Sequence, residues 1–328
     1  MRAAFYERTG PAREVLTLGE LPAPEPGPGE VRVRVAWSGV NPSDVKSRAG
    51  LRTKALPFPR VVPHSDGSGR IDRVGEGVDP ARVGQRVWVW NAAWGRAEGT
   101  AAEYVALPAE QAVPLPEGVD LAAGACLGIP ALTAYHAVTV DGGVEGRSVL
   151  VAGGAGAVGH YAVQLAKLKG ARQVIATVSS PAKAELARAA GADLVVNYRE
   201  EDFAARCMEA TGGVGIDRVI EVDFAANVGA DLAALRHEGA AVVYGSGAPE
   251  IPVPFLPAIL KNVLVRFFIV YNLTPEDRAR AVADLTRLLE DDALTHNIAA
   301  RLPLVQVAEA HELVEQGRAA GNVVLQVE

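Results

Sequence analysis

Alternation of apolar and polar residues marks the N-terminal part of the chain. "GEVRVRVAWSGV" (29–40) alternates as a half-buried strand does, and "SGRIDRVGEGV" (68–78) and "GQRVWVWNAAW" (84–94) repeat a strand followed by glycine. "PEPGPGE" (24–30) is a turn-rich connector. This texture predicts a β-rich, partly barrel-like domain. From residue 123 the period changes. "SVLVAGG" (148–154) is a compact apolar strand, followed by the helical pattern "VGHYAVQLAKLKG" (158–170) and a further strand, "QVIATV" (173–178). A second helix over 180–192 has Ser180 as its N-cap, Pro181 in the first turn and Gly191 past its end. "DLVVNY", "IDRVIEV" and "GAAVVYGS" supply more strands. Repeated strand–helix units predict a parallel, doubly wound sheet. After residue 271 a long helix (274–292), the strand-like "RLPLV", the helix "QVAEAHELVEQGR" and the strand "NVVLQVE" are expected to return to the first domain.

Composition narrows the class. The 328 residues suffice for two domains, and 49% apolar with 22% charged residues is a globular profile. A net charge of −7 argues against a phosphate-backbone partner, so no nucleic acid is expected. No apolar run is long enough to span a bilayer, and "MRAAFYERTG" lacks the apolar core of a signal peptide. The expectation is a cytoplasmic protein with no membrane partner. The chain has two cysteines, Cys126 and Cys207, too few for a four-cysteine zinc site; they lie far apart and form no CxxC, so no disulfide framework is expected.

The chemistry is concentrated in "GGAGAVG" (153–159). Gly154, Gly156 and Gly159 fit G-x-G-x-x-G directly after a strand and at the start of a helix. Gly154 is expected to permit the tight turn, Gly156 to let backbone approach a pyrophosphate, and Gly159 to let helix pack on strand. The helix N-terminus then offers N–H groups and partial positive charge to phosphates. An NAD site usually places an acid about 20 residues past the first glycine. Here the region reads Thr177-Val178-Ser179-Ser180-Pro181-Ala182-Lys183, with no acid before Glu185. Two hydroxyls and a lysine suit a 2′-phosphate that a carboxylate would repel, so NADPH (NADP) is the expected cofactor. Ser180 also reads as a helix cap and Lys183 as a solvated charge, roles compatible with phosphate binding.

These residues carry a resemblance that runs end to end. "SGVNPSDVKSRAG" (38–50), "PHSDGSGRIDRVGEGV" (63–78), "GTAAEYVALPAEQAVPLPEGV" (99–119), the glycine turn, "NYREEDF" (197–203), "GGVGIDRVIE" (212–221), "AAVVYGS" (240–246) and "VAEAHELVEQGRAAGNVVL" (307–325) are its marks. The chain resembles the medium-chain dehydrogenase/reductase superfamily, and within it the zinc-free quinone oxidoreductases related to ζ-crystallin. The resemblance implies an α/β fold: a GroES-like catalytic domain at 1–122 and 271–328, interrupted by a doubly wound Rossmann NADP-binding domain at 123–270, with the active site in the cleft between them. It places the phosphates on Ala155, Gly156, Ala157 and Val158. Ser179, Lys183 and Tyr198 would surround the adenosine ribose and its 2′-phosphate; Tyr198 reads equally as a strand-end aromatic. Asn227, Tyr244, Gly245, Ser246, Gly247, Phe267, Phe268 and Ile269 would line the path to the nicotinamide, the last three as core residues contributing backbone.

Zinc-dependent relatives place a cysteine in the segment matching "SGVNPSD" and a His-Glu pair in that matching "PHSDGSG". In this chain those positions hold Asn41 and Ser65-Asp66, with His64 one place early. That is a poor tetrahedral set, so no metal is expected, and His64 reads as a loop histidine with a solvent or structural role. Without a Lewis acid, an activated acceptor is easier to reduce than an alcohol is to oxidise. Asn41 is the first candidate for a polar group near the acceptor carbonyl or the nicotinamide; an Asx-turn before Pro42 is the competing role. Lys46 stands where the family commonly has tyrosine. A lysine there can donate a proton or stabilise a developing oxyanion, and reads equally as a solvated surface residue. Gly247 stands where relatives often carry a basic residue, which puts more of the 2′-phosphate recognition on Lys183.

The expected function is NADPH-dependent, zinc-independent reduction of small-molecule quinones or related activated carbonyl and enone acceptors. An enoyl-thioester or 2-alkenal reductase and a non-catalytic NADPH-binding protein are the alternatives. A homodimer is implied by the family, and "VLVRFFIVY" (263–271) reads as an edge strand able to pair across a twofold axis, or as one buried under the following helix.

Overall fold

The protein is described by a computed structural model that covers residues 1–52 and 55–328. It divides into two compact units, Met1–Pro130 with Val282–Glu328, and Ala131–Ala281. The first boundary lies in a π-helical turn, Leu127–Ala131, and the second inside a long helix; both come later in the chain than 122 and 270.

The first unit contains β1 (Arg2–Phe5), α1 (Ala12–Val15), β2 (Thr17–Glu20), β3 (Glu30–Val40), α2 (Pro42–Arg48), β4 (Asp66–Val74), β5 (Arg86–Val89), β6 (Tyr104–Pro108), β7 (Ala112–Pro114) and α3 (Leu121–Gly124). In the second unit, α4 (Leu132–Thr139), β8 (Ser148–Val151), α5 (Ala157–Leu168), β9 (Gln173–Val178), α6 (Pro181–Ala189), β10 (Leu194–Asn197) and α7 (Phe203–Ala210) come first. They are followed by β11 (Ile216–Glu221), α8 (Phe224–Ala234), β12 (Leu235–Val243), α9 (Phe255–Leu260) and β13 (Leu264–Phe267). Then α10 (Pro275–Glu290) leads back to β14 (Ile298–Pro303), α11 (Val307–Glu315) and β15 (Asn322–Gln326) of the first unit.

In the first unit the sheet order is β14-β15-β3-β4-β5-β7, with β6 paired to β3. Val31, Val33 and Val35 project from β3 into a core shared with Ile71, Val87, Val89, Leu107, Val323 and Leu325. Arg32, on the opposite face by alternation, is nonetheless buried because Asp72 accepts from its Nε and Nη2 while Glu25 and the Pro24 carbonyl accept from its Nη1. The C-terminal strand β15 pairs antiparallel with β3, so the end of the chain returns to the first domain as expected.

The second unit is the expected doubly wound sheet. Its order among the described residues is β10-β9-β8-β11-β12-β13, all parallel. Read outward from β8, that is the Rossmann order, with its switch point between β8 and β11. Covered on both faces, β8 and β9 are continuous apolar runs rather than alternating ones. Arg218 on β11 breaks the run yet is fully buried, because its guanidinium donates to the Val138, Val140 and Asp141 carbonyls at the end of α4. β13 is the sheet edge. Its Leu264 and Phe267 are 49% and 59% exposed, which corrects the expectation that Phe267, Phe268 and Ile269 are core: an edge strand has no helix over both faces.

Candidate functional site

The glycine turn joins β8 to α5. Gly153, not Gly154, takes the left-handed backbone the turn needs, at φ +68. Gly154 serves packing instead, since a Cβ there would lie 2.6 Å from the Ala176 Cβ. The turn is pinned from β9: Thr177 accepts the Gly153 N–H on Oγ1 at 3.1 Å and the Gly154 N–H on its carbonyl at 3.0 Å. Gly156 is the N-cap of α5, and Gly159 lies so close to Gly153 that any Cβ would meet the Gly153 carbonyl. Ala155, Gly156, Ala157 and Val158 thus come together at a helix N-terminus, where first-turn N–H groups have no partner within the helix.

At the end of β9, Lys183 Nζ donates to Ser179 Oγ at 3.1 Å. Ser180 caps α6 by accepting the Lys183 backbone N–H at 3.4 Å. The cap therefore turns the first helical lysine back towards Ser179. Tyr198 follows β10, is half-exposed, and with Thr177, Gly153, Phe203 and Asn227 lines a cavity of about 190 Å³ at the switch point. Both the Ser180 cap and the Ser179–Lys183 pairing are present at once.

Asn227 on α8 donates from Nδ2 to Glu221 Oε1 at 3.1 Å, and Glu221 Oε1 also accepts the Asp223 N–H. The loop after β12 is held by the same strand end. Tyr244 N–H reaches the Glu221 carbonyl at 3.1 Å, and Gly247 N–H donates to Asp223 Oδ1 at 2.7 Å. Gly245 leaves no room for a Cβ against the Val222 carbonyl, and Ser246 bonds Ala248 in a local turn. Phe268 continues this wall, with its ring 4.7 Å from His136 and 6.4 Å from Tyr244. Phe267 turns the other way, edge-on to Phe224 at 5.8 Å, and Ile269 follows it half-buried. Glu221, Asp223, Asp231 and Thr177 were not singled out by sequence reasoning. The signal available was a run of acids in "IEVDFAANVGADL", where apolar residues would ordinarily close a strand–helix unit.

In the first unit, Asn41 is buried at the start of α2. Its backbone N–H donates to Asp44 Oδ2 at 2.8 Å and its Nδ2 to Asp66 Oδ2 at 2.8 Å. Burial pushes the Asp44 carboxyl up to about 7 and that of Asp66 well above the usual range. Lys46 lies further along α2, half-exposed. His64 is fully buried, which removes the solvent role. Its Nδ1 is 2.8 Å from Ser38 Oγ and its Nε2 2.9 Å from Nε2 of His311. Thr100 donates its hydroxyl hydrogen to the Asp66 carbonyl, so Ser38 must donate to Thr100 Oγ1. His64 then donates from Nδ1 and accepts on Nε2 from His311. Burial holds both rings neutral, pushing His64 down to about 3 and His311 well below its ordinary value.

Comparison with known proteins agrees with this geometry. The alcohol dehydrogenase GroES-like domain matches residues 27–117, and the zinc-binding dehydrogenase domain matches 157–287. The human quinone oxidoreductase is 33% identical over 99% of this chain and 97% of its own. A mycobacterial protein solved in complex with NADPH superposes with a TM-score of 0.89 at 32% identity, covering 99% of this chain and all of its own. A solved NAD-dependent alcohol dehydrogenase reaches 0.90 at 32% identity, covering the whole of both chains. The chain belongs to the medium-chain dehydrogenase/reductase superfamily and, within it, to the quinone oxidoreductase family. It is an oxidoreductase, and the GroES-like and Rossmann architecture expected of it is present.

The second family domain is described as zinc-binding, which the residues here can be tested against. Asn41 presents its amide nitrogen to Asp66, and that bond engages one Asp66 oxygen; Ser65 supplies a hydroxyl and His64 has both ring nitrogens committed. Among the described residues no group of three or more His, Cys, Asp or Glu is arranged to hold a metal. These donors do not fit a tetrahedral zinc. The second unit has features that fit a dinucleotide: the glycine turn leaves backbone room, and Ser179 with Lys183 offers a hydroxyl and an ammonium at the end of the neighbouring strand. No helix among the described residues is long and apolar enough to cross a membrane.

Proposed function

We propose that the chain is an NADPH-dependent, zinc-independent reductase of small-molecule quinones or related activated carbonyl and enone acceptors. The Ser179–Lys183 pair at the end of β9 carries the cofactor half of this reading. An ammonium and a hydroxyl stabilise a 2′-phosphate through charge-assisted bonds, whereas an NAD site would place a carboxylate there. Lys183→Ala is expected to raise KM for NADPH by about tenfold or more and to leave NADH little changed. Equal loss with both cofactors would remove Lys183 from phosphate recognition.

When bound, NADPH supplies a hydride. Ala155 to Val158 would hold the phosphates by backbone N–H groups, Tyr198 would flank the adenosine, and Asn227, Tyr244 to Gly247, Phe268 and Ile269 would flank the nicotinamide, with the Phe267 side chain turned away onto Phe224. Asn41, its side chain held by Asp66 and its backbone N–H by Asp44, would offer a fixed amide to the acceptor. Lys46 donates a proton to the acceptor oxygen as negative charge develops on it. Lys46→Ala is expected to lower kcat at least about tenfold with KM for NADPH unchanged; unchanged turnover would retire this role.

The reading is tested by following NADPH oxidation with quinones, 2-alkenals and enoyl thioesters in the presence of a zinc chelator. Quinone turnover that survives chelation supports it. Preference for enoyl thioesters or 2-alkenals would move the chain to that branch, and binding without turnover of any acceptor would make it a cofactor-binding protein. A homodimer is supported by the unpaired edge of β13 and by the adjoining apolar surface of α9, where Phe255 and Leu260 are 72% and 68% exposed. Sedimentation as a monomer at micromolar concentration would count against it.

A further inference from the structure

Two carboxylates line the switch-point cavity together with Asn227. Glu221 ends β11 and Asp231 lies within α8; both side chains line the cavity wall and both residues are fully buried. Glu221 Oε2 and both oxygens of Asp231 have no N–H or hydroxyl donor. Two ionised carboxylates in that position would leave like charges buried and unpaired, a far larger penalty than a hydrogen bond returns. One proton shared between them removes the conflict, because a carboxyl donates to a carboxylate.

We propose that Glu221 and Asp231 share a single proton and act together as positioning residues: through Glu221 they orient the Asn227 amide for the cofactor, and loss of the shared proton at alkaline pH weakens NADPH binding. The inference rests on the reading of this cavity as part of the cofactor site. The orientation follows from donor logic. Glu221 Oε1 can only accept, so Asn227 must turn Nδ2 towards it and keep its carbonyl oxygen for a ligand hydroxyl or amide N–H. The charge argument follows from the same pair. One proton leaves a single negative charge under the cavity; losing it adds a second beside a polyanionic cofactor.

Other titratable groups face the same space, and the Tyr198 phenol, which lines the cavity with the pair, is common to every protein in the test below. Asp223, on the loop after β11, is a carboxylate that accepts the Gly247 N–H and is half-exposed. Cys207 on α7 is pushed up to about 12 by burial and by Asp231, and the Tyr244 phenol beyond β12 is pushed up by burial and by Glu221. Asp202 caps α7 by accepting two backbone N–H groups. Lys261 spends its ammonium on the Leu232, Ala233 and Leu235 carbonyls at the end of α8. Burial raises both members of the pair, and Asp231 is raised further by the Glu221 charge.

The test is NADPH binding, followed by fluorescence from about pH 7 to about pH 10, for wild type, Asp231→Asn and Glu221→Gln. Either amide donates to the remaining carboxylate and replaces the shared proton with one that does not titrate. The wild-type Kd is expected to rise about tenfold more than that of either variant across this range. Because all three proteins carry Lys183, ionisation of that lysine cancels in the comparison. Parallel profiles, with Asn227→Ala still impaired at neutral pH, would overturn the proton-sharing pair alone. No NADPH binding at neutral pH, or an Asn227→Ala variant that binds as wild type does, would overturn the cofactor reading of the cavity and the proposal with it.

Discussion

Gly159→Ala is expected to lower NADPH affinity by about 100-fold, equivalent to ~3 kcal/mol. The added Cβ would meet the Gly153 carbonyl oxygen, and would lie 2.8 Å from the Gly153 carbonyl carbon and 3.1 Å from the Gly154 Cα. All are backbone atoms, and Gly153 is already committed to a left-handed conformation with its N–H on Thr177. No side chain can swing aside. The first turn of α5 must therefore lift from the glycine turn, and the N–H groups meant for phosphate lose their common focus. Gly229→Ala on the exposed side of α8 is the matched control. Its Cβ has nothing within 4 Å, so a neutral or slightly stabilising effect is expected. NADPH titration with far-UV circular dichroism reads both. Gly159→Ala binding within about threefold of wild type would show that close helix packing is not what shapes the phosphate cradle.

The second large effect is on stability. Arg218→Ala is expected to cost about 4 kcal/mol, read as a lower urea midpoint. The arginine is fully buried in β11, and its guanidinium satisfies the Val138, Val140 and Asp141 carbonyls. Truncation leaves those acceptors dry and opens a cavity in the central strand that carries Glu221. Arg218→Met should recover part of the loss by filling volume, and the difference between the two variants isolates the polar share. If Arg218→Met were as stable as wild type, the carbonyl contacts would contribute nothing and the arginine would be a volume filler.

Arg218 also illustrates what periodicity cannot convey. A charged residue in "IDRVIEV" argues against a central buried strand, and the carbonyls at the end of α4, 77–80 positions away, make the placement comfortable. The parts of the fold with a local signature were legible. "QVIATV" coincides with β9, and the Ser180-Pro181 start is the cap of α6. The doubly wound sheet followed from repeated strand–helix units. What lay beyond reach depends on distant partners. His64 meets His311 across 247 positions, so a histidine in a loop motif became a buried link of a neutral chain. The exposure of Phe267 depends on whether a further strand joins the edge, which an apolar run cannot announce. The glycine turn was legible as a motif, but its division of labour was not. Gly153 takes the left-handed turn, while Gly154 is needed for its close approach to Ala176, a packing neighbour in the next strand.

The site shows the same split. Ser179 and Lys183 are close in sequence, and α6 brings the lysine back onto the serine hydroxyl, one turn apart. Asn227 was singled out through the family pattern, while its bond to Glu221 follows from the backbone path of β11 and α8. Asn41 stands at the N-cap of α2 with its backbone N–H on Asp44, while its side chain is held by Asp66, 25 positions away, a partner that the local motif does not announce.

The central claim, reduction driven by NADPH, is tested most directly by the ratio of kcat/KM for NADPH to that for NADH with one quinone acceptor in chelator-treated enzyme. The Ser179–Lys183 pair predicts a ratio of about 100 in favour of NADPH. A ratio near one, or oxidation of a simple alcohol with NAD in place of quinone reduction, would contradict the account.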